Sequence, residues 1–506
     1  MRLGRNLLAG LASSAWTALV SLAVVPFYLK YLGIEAYGLI GFLVITQSLL
    51  QLLDLGLAPT INREIARYSA VGNIRASGSL LHTLSVIYWG MAGVIALVVV
   101  ALAPLISRYW LRAENIPVAT VNHAVMLMAL IIAFRWPVGL YQGALMGAQR
   151  IVILSIVSSA VVTFGSLGAV GILAFVSPTV QALFFWHIGV AAVYVFVMRS
   201  MAWRVVGRTE GIRFDLDSLR QVWRFSAGMS VVTLSALVFT QLDKVILSKI
   251  LSLPEFGHYM LATVVASGLY VLVTPFFNAV YPRISVLVAN GETEKLADVY
   301  RLSTRLLGAV LFPIAMVLAI FSEDIVQMWI GDPDIARSVA PLITLLTIGS
   351  ALHGVMHLPF ALQLAYGMTR LPLIINGVLM VILAPLIVVL TFLYGGLGAA
   401  IAWLVLHVLY VMLGAWLTHR RLLIGMATKW LIQDVGIPLV ISLLVVMAGF
   451  YAMIGWEPLI LVKVVYLGGL ASTSLLLSVA ASSQLRAIAF IVVRRLWSIT
   501  QARLFR

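Results

Sequence analysis

Lys30-Tyr-Leu-Gly-Ile-Glu-Ala-Tyr-Gly38 recurs 219 residues later as Lys249-Ile-Leu-Ser-Leu-Pro-Glu-Phe-Gly257, with Lys, Leu, an aromatic residue and Gly at matching positions. Other matches keep the same offset, including Gly72 with Gly291. Because loops of unrelated length would scramble a shared spacing, this offset predicts an internal duplication of the chain.

Composition places the duplicated chain in a membrane. Hydrophobic residues make up 62% of its 506 residues and charged residues 10%, whereas soluble domains have about half and about a quarter. The apolar runs reach about 20 residues, the length that crosses a bilayer as a helix. The sequence therefore predicts an all-α polytopic membrane protein. The formal charge of +15 is concentrated at the ends of these runs, which argues against nucleic acid as a partner.

Fourteen transmembrane helices are predicted, as two six-helix pseudo-symmetric lobes followed by two extra C-terminal helices. The N-lobe covers 1–205, the C-lobe covers 206–425, spans 13 and 14 lie in 426–485, and 486–506 form a basic amphipathic cytoplasmic tail suited to an anionic membrane surface. Since each half holds six spans, the two repeats have the same orientation in the membrane. The predicted spans are 7–30, 36–57, 79–106, 119–148, 151–176, 179–199, 224–250, 256–283, 305–322, 337–367, 371–394, 396–418, 430–453 and 457–484.

The distribution of basic residues predicts that both termini are cytoplasmic. With that orientation, 25 of the 33 Lys and Arg residues lie on the cytoplasmic side and two, Arg135 and Lys244, lie within spans. The six on the outer side are Lys30, Arg108, Arg112, Lys249, Arg337 and Lys463.

Arg135 lies near the middle of span 4 and is the leading candidate for substrate binding. An Arg at this depth costs about 2.5–3.5 kcal/mol on insertion scales, so it normally faces a cavity or a partner. Its guanidinium can bind a phosphate through two hydrogen bonds; alternatively, Asp54, Asp243 or backbone carbonyls satisfy it. Pro137 should kink the helix beside it, and Gln142 shares its face.

Two further patterns accompany span 4. Gly139, Gly143 and Gly147 recur at four-residue steps, the spacing of small residues at which membrane helices pack closely. Arg135-Trp-Pro137 is echoed in the second repeat by His357-Leu-Pro359 at an offset of 222, which leaves the register of the duplication open at this point.

Other polar side chains inside the spans complete the set of candidates. Gln47, Gln51 and Asp54 form one helical stripe, and Lys244 belongs to another, with Asp243 pointing about 100° away from it. The candidate substrate-binding residues are Arg135, Gln142, His357, Lys244, Gln47 and Gln51, and the candidate ion-coupling residues are Asp54, Asp243 and His353. The structural alternatives are loop capping for Asp54, outward snorkelling for Lys244, and buried hydrogen bonding for the two histidines. His353 and His357 lack the Glu of an HExxH pattern, so no metal site is predicted.

Five segments then carry a family resemblance: Tyr31-Leu-Gly-Ile-Glu-Ala-Tyr-Gly38, Asp54-Leu-Gly56, Gly143-Ala-Leu-Met-Gly-Ala-Gln-Arg150, Gln241-Leu-Asp243 and Phe256-Gly-His-Tyr259. In order and spacing they resemble the polysaccharide transporter family, the O-antigen-type flippases of the superfamily that includes multidrug MATE exporters and lipid II flippases. The resemblance implies a flippase of a bacterial inner membrane. Such a protein moves an undecaprenyl-pyrophosphate-linked oligosaccharide from the cytoplasmic to the periplasmic leaflet by alternating access, for biosynthesis of cell-surface polysaccharides such as lipopolysaccharide O-antigen or exopolysaccharide.

Two other functions compete with this interpretation. A MATE-like ion-coupled exporter of small molecules would want carboxylates in its cavity, whereas the charge at mid-membrane depth here is Arg135. A membrane glycosyltransferase or polymerase would want large external loops, which the sequence lacks. A primary pump is disfavoured because none of the lysines follows a glycine, so the Walker A pair is missing.

The expected partners follow from the preferred function. They are the lipid-linked oligosaccharide, membrane lipids, and the polysaccharide polymerase and export components. No cofactor is expected, and the chain has no cysteine with which to form a thiolate metal site. The protein is expected not to be an enzyme.

Overall fold

A computed structural model describes residues 2–54, 56–207, 214–215, 240–456, 458–487 and 490. Every regular element in these ranges is a helix, in agreement with the predicted fold class. The part of predicted span 7 before residue 240 and nearly all of the 486–506 tail lie outside the described residues.

The chain divides into two compact units, Met1–Met260 (unit 1) and Leu261–Arg506 (unit 2). The helices of unit 1 are α1 (Arg2–Leu50), a 3-10 turn (Gln51–Asp54), α2 (Leu57–Ala70), α3 (Ile74–Leu105), a π-helical turn (Ile106–Trp110), α4 (Val118–Arg135), α5 (Val138–Gly147), α6 (Ile151–Phe175), α7 (Val180–Val206), helical residues 240–250, and the start of α8 (Leu253–Ser267). The predicted lobe boundaries at 205 and 425 follow the repeat rather than these units, and they stay a prediction.

Unit 2 contains the rest of α8 and the remaining helices. They are α9 (Tyr270–Ala289), α10 (Thr293–Ile320), α11 (Ser322–Ile330), α12 (Pro333–Val355), α13 (His357–Ala365), α14 (Arg370–Leu409), a π-helical turn (Tyr410–Gly414), α15 (Ala415–Leu422), short turns at Ala427–Lys429 and Trp430–Gly436, α16 (Ile437–Met453) and α17 (Ile460–Ala480).

The described residues contain 11 helical segments long and apolar enough to cross a membrane. Two of these segments, Ala9–Asp54 and Arg370–Leu422, each cover two predicted spans. The breaks inside them are at Gly33 (φ 79°) and Gly395 (φ 57°), in a backbone conformation that glycine adopts at little cost. The described segments therefore correspond to all predicted spans except span 7, and the count of fourteen stays a prediction.

The duplication is visible in the backbone of the two repeats. α3 and α10 begin 219 residues apart, each after a glycine with φ of 70°, Gly72 and Gly291. α5 begins at Val138 and its counterpart α13 begins at His357, again 219 residues later. Pro137 and Met356, which precede these helices, share the same dihedral angles, φ −70° and ψ −10°.

This register corrects the predicted echo between Arg135-Trp-Pro137 and His357-Leu-Pro359. The helix break of the second repeat is at Met356, so the residue that corresponds to Arg135 is Gly354. Pro359 lies inside the first turns of α13, where a proline is tolerated because the first helical N–H groups have no partner within the helix. The sequence match was misleading because the fold keeps the break while the proline moves.

A reciprocal contact joins matching segments of the two repeats within unit 1. A Cβ atom on Gly38 would lie 2.4 Å from the Leu253 carbonyl oxygen, and one on Gly257 would lie 2.4 Å from the Ile34 carbonyl oxygen. Ile34 and Leu253 are themselves one repeat apart, so the contact has the two-fold form expected of equivalent surfaces that meet each other. The recurring glycines of the opening motif are thus the points where the duplicated backbones approach most closely.

Ion pairs hold the last two helices in unit 2. The Asp434 carboxylate is fully buried and accepts hydrogen bonds from Nε of Arg301 at 2.8 Å and Nε of Arg305 at 2.5 Å. Lys463, at the start of α17, pairs with Asp324 of α11. Removing one partner of such a buried pair leaves an uncompensated charge, so these contacts fix where the extra helices attach.

Candidate functional site

Unit 1 encloses a cavity of about 840 Å³, within the range of about 300–1,000 Å³ usual for ligand sites. Its walls come from α1 with the 3-10 turn, α2, α4, α5, α6 and α7. The polar and aromatic side chains on the wall are Gln47, Gln51, Asp54, Asn62, Arg135, Trp136, Gln142, Ser166, His187 and Tyr194.

Arg135 reaches this cavity from the last residue of α4. Its Nη1 donates a hydrogen bond to the Gln47 side-chain oxygen at 3.1 Å. Within the described residues this is its one hydrogen bond, and no carboxylate oxygen lies within 4.0 Å of it. A guanidinium has five N–H donors, so most of its hydrogen-bonding capacity is directed to whatever fills the cavity.

The helix break beside Arg135 is the one predicted from Pro137. α4 ends at Arg135 and α5 begins at Val138 because proline supplies no N–H to the helical ladder and its ring crowds the preceding turn. As a result, Arg135 occupies a helix end inside the membrane-spanning segment rather than a continuous helical surface.

The predicted glycine stripe packs α5 against α2. A Cβ on Gly143 would lie 2.6 Å from the Ala58 carbonyl oxygen, and one on Gly147 would lie 2.4 Å from that of Asn62. Gly139, the third member, instead lines the cavity with no neighbour within 4 Å of a built Cβ. This close packing brings Ala58 and Asn62 of α2 onto the cavity wall.

α2, which the predicted spans left unassigned, is an amphipathic helix. Leu57, Ile61 and Ile65 are buried at four-residue steps, the spacing of one helical face. Its outer face carries Arg63 and Arg67, which pair with Glu64.

Asp54 lines the cavity but its carboxylate is already engaged. Tyr88 donates a hydrogen bond to it, and the Ala58 backbone N–H donates another at 3.2 Å. The loop-capping alternative considered for this residue is therefore present in the structure. Arg135 is in a different situation, since its one protein partner is a neutral amide.

Gln142 belongs to a small hydrogen-bonded group on the opposite wall. Its Nε2 donates to the Tyr194 hydroxyl oxygen at 2.8 Å, and the Ser158 hydroxyl lies 3.0 Å from the same oxygen. These contacts fix the amide and the phenol in one orientation, which is what a recognition site for a polar ligand requires.

The remaining wall is apolar. Val161 and Val162 of α6, together with Val190 and Ala191 of α7, face the same cavity as Arg135. The cavity is thus amphipathic, with amides and a cation on one side and aliphatic side chains on the other.

Asp243 and Lys244 lie elsewhere in unit 1 and are not on the cavity wall. Lys244 Nζ lies 3.1 Å from Asp243 Oδ1, and the Tyr259 hydroxyl donates to Asp243 Oδ2 at 2.9 Å. Both side chains are buried. The predicted divergence of the two side chains is wrong, because the flexible lysine stem folds back along the helix and places its ammonium beside the neighbouring carboxylate. Outward snorkelling of Lys244 is also not observed.

His353 and His357 lie in unit 2, at the break between α12 and α13. The Tyr270 hydroxyl lies 2.6 Å from Nδ1 of His353, and Nδ1 of His357 is 3.2 Å from the His353 carbonyl oxygen. The described residues contain no group of three or more potential ligands arranged to hold a metal ion. Of the nine candidate residues, the structure brings together Gln47, Gln51, Asp54, Arg135 and Gln142.

His187 is the cavity residue that the sequence analysis missed. Its Nδ1 is buried and has no hydrogen-bond partner among the described residues. A histidine in the middle of an apolar span was the available signal. Its importance depends on α7 facing α4 across the cavity, which the sequence alone does not state.

Comparisons with known proteins agree with this architecture. A family model described as polysaccharide biosynthesis protein matches residues 30–333, more than half of the chain. A Shigella flexneri protein assigned as an O-antigen transporter is 22% identical over 423 residues, covering 83% of this chain and 98% of that protein. The lipopolysaccharide biosynthesis protein WzxC of Escherichia coli (strain K12) is 23% identical over 288 residues, covering 55% of this chain and 57% of WzxC.

Two solved structures share the fold. The lipid II flippase MurJ in an inward closed conformation superposes with a TM-score of 0.66 at 11% identity, covering 92% of this chain and 97% of MurJ. An inward-facing MATE family multidrug transporter superposes with a TM-score of 0.65 at 12% identity, covering 82% of this chain and 96% of the transporter.

Proposed function

This chain belongs to the polysaccharide biosynthesis protein family, and on that premise we propose that it is a flippase for a lipid-linked oligosaccharide. It moves an undecaprenyl-pyrophosphate-linked glycan from the cytoplasmic to the periplasmic leaflet of a bacterial inner membrane. The glycan then enters cell-surface polysaccharide. The O-antigen transporter and WzxC support this assignment.

The observation that carries the proposal is Arg135 on the wall of an 840 Å³ cavity, hydrogen-bonded to the Gln47 amide and without a carboxylate within ion-pair distance in the described residues. A cation held this way at membrane depth favours an anionic ligand. The guanidinium fork fits a phosphate through two charge-assisted hydrogen bonds. We assign the pyrophosphate to Arg135, with His187 as a second donor from the facing helix.

The rest of the cavity suits the two ends of the same substrate. Gln47, Gln51 and Gln142 offer amide donors and acceptors to sugar hydroxyls, and Trp136 offers an aromatic ring. The aliphatic wall of α6 and α7 accommodates the first apolar units of the polyprenyl chain. An amphipathic ligand thereby meets both walls of an amphipathic cavity.

Transport proceeds by alternating access between the duplicated halves, as expected of a transporter built from repeats about an axis along the membrane normal. The pyrophosphate carries roughly two negative charges, and moving one charge through 100 mV is worth about 2.3 kcal/mol. A negative cell interior therefore favours outward movement of the headgroup. The lipid carrier, the surrounding lipids and the polysaccharide polymerase and export components are the partners, and the protein makes or breaks no covalent bond.

The identity of the substrate is tested by capture. We expect the purified protein to retain pyrophosphate-linked polyprenyl glycans, identified by mass spectrometry of the co-purifying lipids, because the cavity matches both headgroup and chain. Arg135→Ala, prepared in parallel, should retain far less of them. Recovery of small organic cations in place of a polyprenyl glycan would contradict the proposal.

The orientation is tested by cysteine labelling, since the chain has no native cysteine. With both termini cytoplasmic, Asp334→Cys should react from the periplasm with an impermeant thiol reagent and Gly291→Cys should not. Both positions are exposed, so access to solvent does not separate them and the side of the membrane does. Labelling of Gly291→Cys in intact cells would reverse the topology.

A further inference from the structure

Three histidines form one cluster in unit 2. The ring centroid of His353 is 5.1 Å from that of His357 and 5.0 Å from that of His407. His353 and His357 flank the helix break at Met356, and His407 comes from α14. All three belong to segments long and apolar enough to span a membrane. The break that brings Arg135 to a cavity in the first repeat thus corresponds to a break beside paired histidines in the second.

The hydrogen bonds fix two of the three tautomers. Nδ1 of His407 lies 2.8 Å from the Trp403 carbonyl oxygen, and Nδ1 of His357 lies 3.2 Å from the His353 carbonyl oxygen. A carbonyl only accepts, so both Nδ1 atoms carry hydrogen and both neutral rings keep a basic Nε2. The third ring, His353, has the Tyr270 hydroxyl 2.6 Å from its Nδ1. The cluster therefore offers basic nitrogens on either side of a ring that can exchange hydrogen with a phenol.

Aromatic rings from three elements surround these imidazoles. Tyr270 and Phe277 of α9 lie 6.0 and 6.1 Å from His357, Tyr410 of the π-helical turn lies 5.9 Å from His353, and Trp403 of α14 lies 4.4 Å from His407, all between ring centroids. Tyr270 and Tyr410 are the titratable groups in these contacts, and Tyr281 stacks on Phe277 at 5.6 Å. Aromatic faces stabilise a neighbouring cation. One positive charge can be shared here, whereas a second at about 5 Å would be repelled by the first.

We propose that His353, His357 and His407 together bind one proton, and that the flippase exchanges this proton for its substrate. The proposal rests on the assigned flippase function and adds the coupling ion to it. The cluster takes up H⁺ from the periplasmic side and releases it to the cytoplasm, while the glycan headgroup moves outward. His407, which the sequence patterns did not single out, is as much a part of the site as the other two.

Proton binding is measured without substrate through Trp403, because a protonated imidazole quenches an indole in contact with it. We expect the tryptophan emission of the purified full-length protein to fall as the pH is lowered from 8.5 to 5. Trp403→Phe should remove this change, and so should His353→Gln and His407→Gln. His123→Gln, at an exposed position of α4, is the matched control and should titrate like the wild type. A titration that is unchanged in His353→Gln overturns the proposal.

Coupling is measured in proteoliposomes loaded with lipid-linked glycans extracted from the source cells. The membrane potential is clamped to zero with potassium and valinomycin, and impermeant periodate followed by mass spectrometry reports the leaflet of the glycan. For one proton exchanged per glycan, each pH unit of gradient should shift the distribution between leaflets about tenfold. His353→Gln should still equilibrate the glycan but ignore the gradient. A wild-type distribution indifferent to pH rules out proton exchange, whereas absence of any flipping would count against the flippase function and leave the fluorescence titration to decide on proton binding.

Discussion

Replacing Arg135 with alanine is expected to lower glycan export about 10- to 150-fold. The lost contact is a charge-assisted hydrogen bond to the pyrophosphate, worth about 1.5–3 kcal/mol, and every 1.4 kcal/mol corresponds to about a tenfold change. Arg135→Lys should keep part of the activity, because it restores the charge but not the two-pronged geometry. Export is measured as surface polysaccharide in cells that depend on the variant for it, at matched protein levels.

The control for this experiment is Arg337→Ala. Arg337 is exposed and its Nη1 lies 3.5 Å from an Asp334 carboxylate oxygen in the next turn of α12, a type of pair that contributes little. Its removal should leave export unchanged. If Arg135→Ala exports at the wild-type rate, the cavity in unit 1 does not hold the pyrophosphate, and Arg135 serves folding alone.

The second large effect is expected at Gly38 and Gly257. Alanine at either position places a Cβ 2.4 Å from a backbone carbonyl oxygen of the partner segment, and backbone cannot rotate away as a side chain can. Overpacking of this kind costs about 1–3 kcal/mol or more. We expect each variant to lower the midpoint of thermal unfolding in detergent by several degrees. The double variant should lose less than the sum, since the displacement that relieves one contact relieves its symmetric counterpart.

Gly90→Ala in α3 is the matched control. Gly90 is also helical, and a Cβ there meets nothing within 4 Å. Alanine is the better helix former by about 1 kcal/mol, so this variant should be as stable as the wild type or slightly more stable. Unfolding midpoints that are equal for Gly38→Ala, Gly257→Ala and Gly90→Ala would show that the reciprocal contact does not form.

Much of the architecture follows from local sequence. Hydrophobic runs place the spans, because a backbone in lipid must satisfy its own hydrogen bonds as helix. The helix break after Arg135 follows from the missing N–H of Pro137. The repeat follows from an offset shared by Gly38 with Gly257 and by Gly72 with Gly291, and the backbone reproduces it at helix starts and at positive-φ glycines.

Other features needed the packing of helices that are distant in the chain. The break at Met356 has no proline to announce it, so the sequence register led to Pro359. Lys244 pairs with its own neighbour because a long side chain can fold back along its helix. The glycine stripe was read correctly as a packing surface at Gly143 and Gly147, but its partner, α2, was not assigned at all.

The sequence by itself determined that this is a duplicated, all-helical membrane protein with a charged residue in the middle of an apolar span, because hydropathy, proline and periodic spacing act locally. The tertiary structure alone decided which polar groups share a site. The rotation and packing of α1, α4, α5 and α7 bring Gln47, Gln142 and His187 to the cavity of Arg135, and the meeting of α14 with α12 adds His407 to His353. Each helical stripe is visible in the sequence, but which stripes face one another depends on contacts between side chains more than a hundred residues apart or on different elements, and no local pattern encodes them.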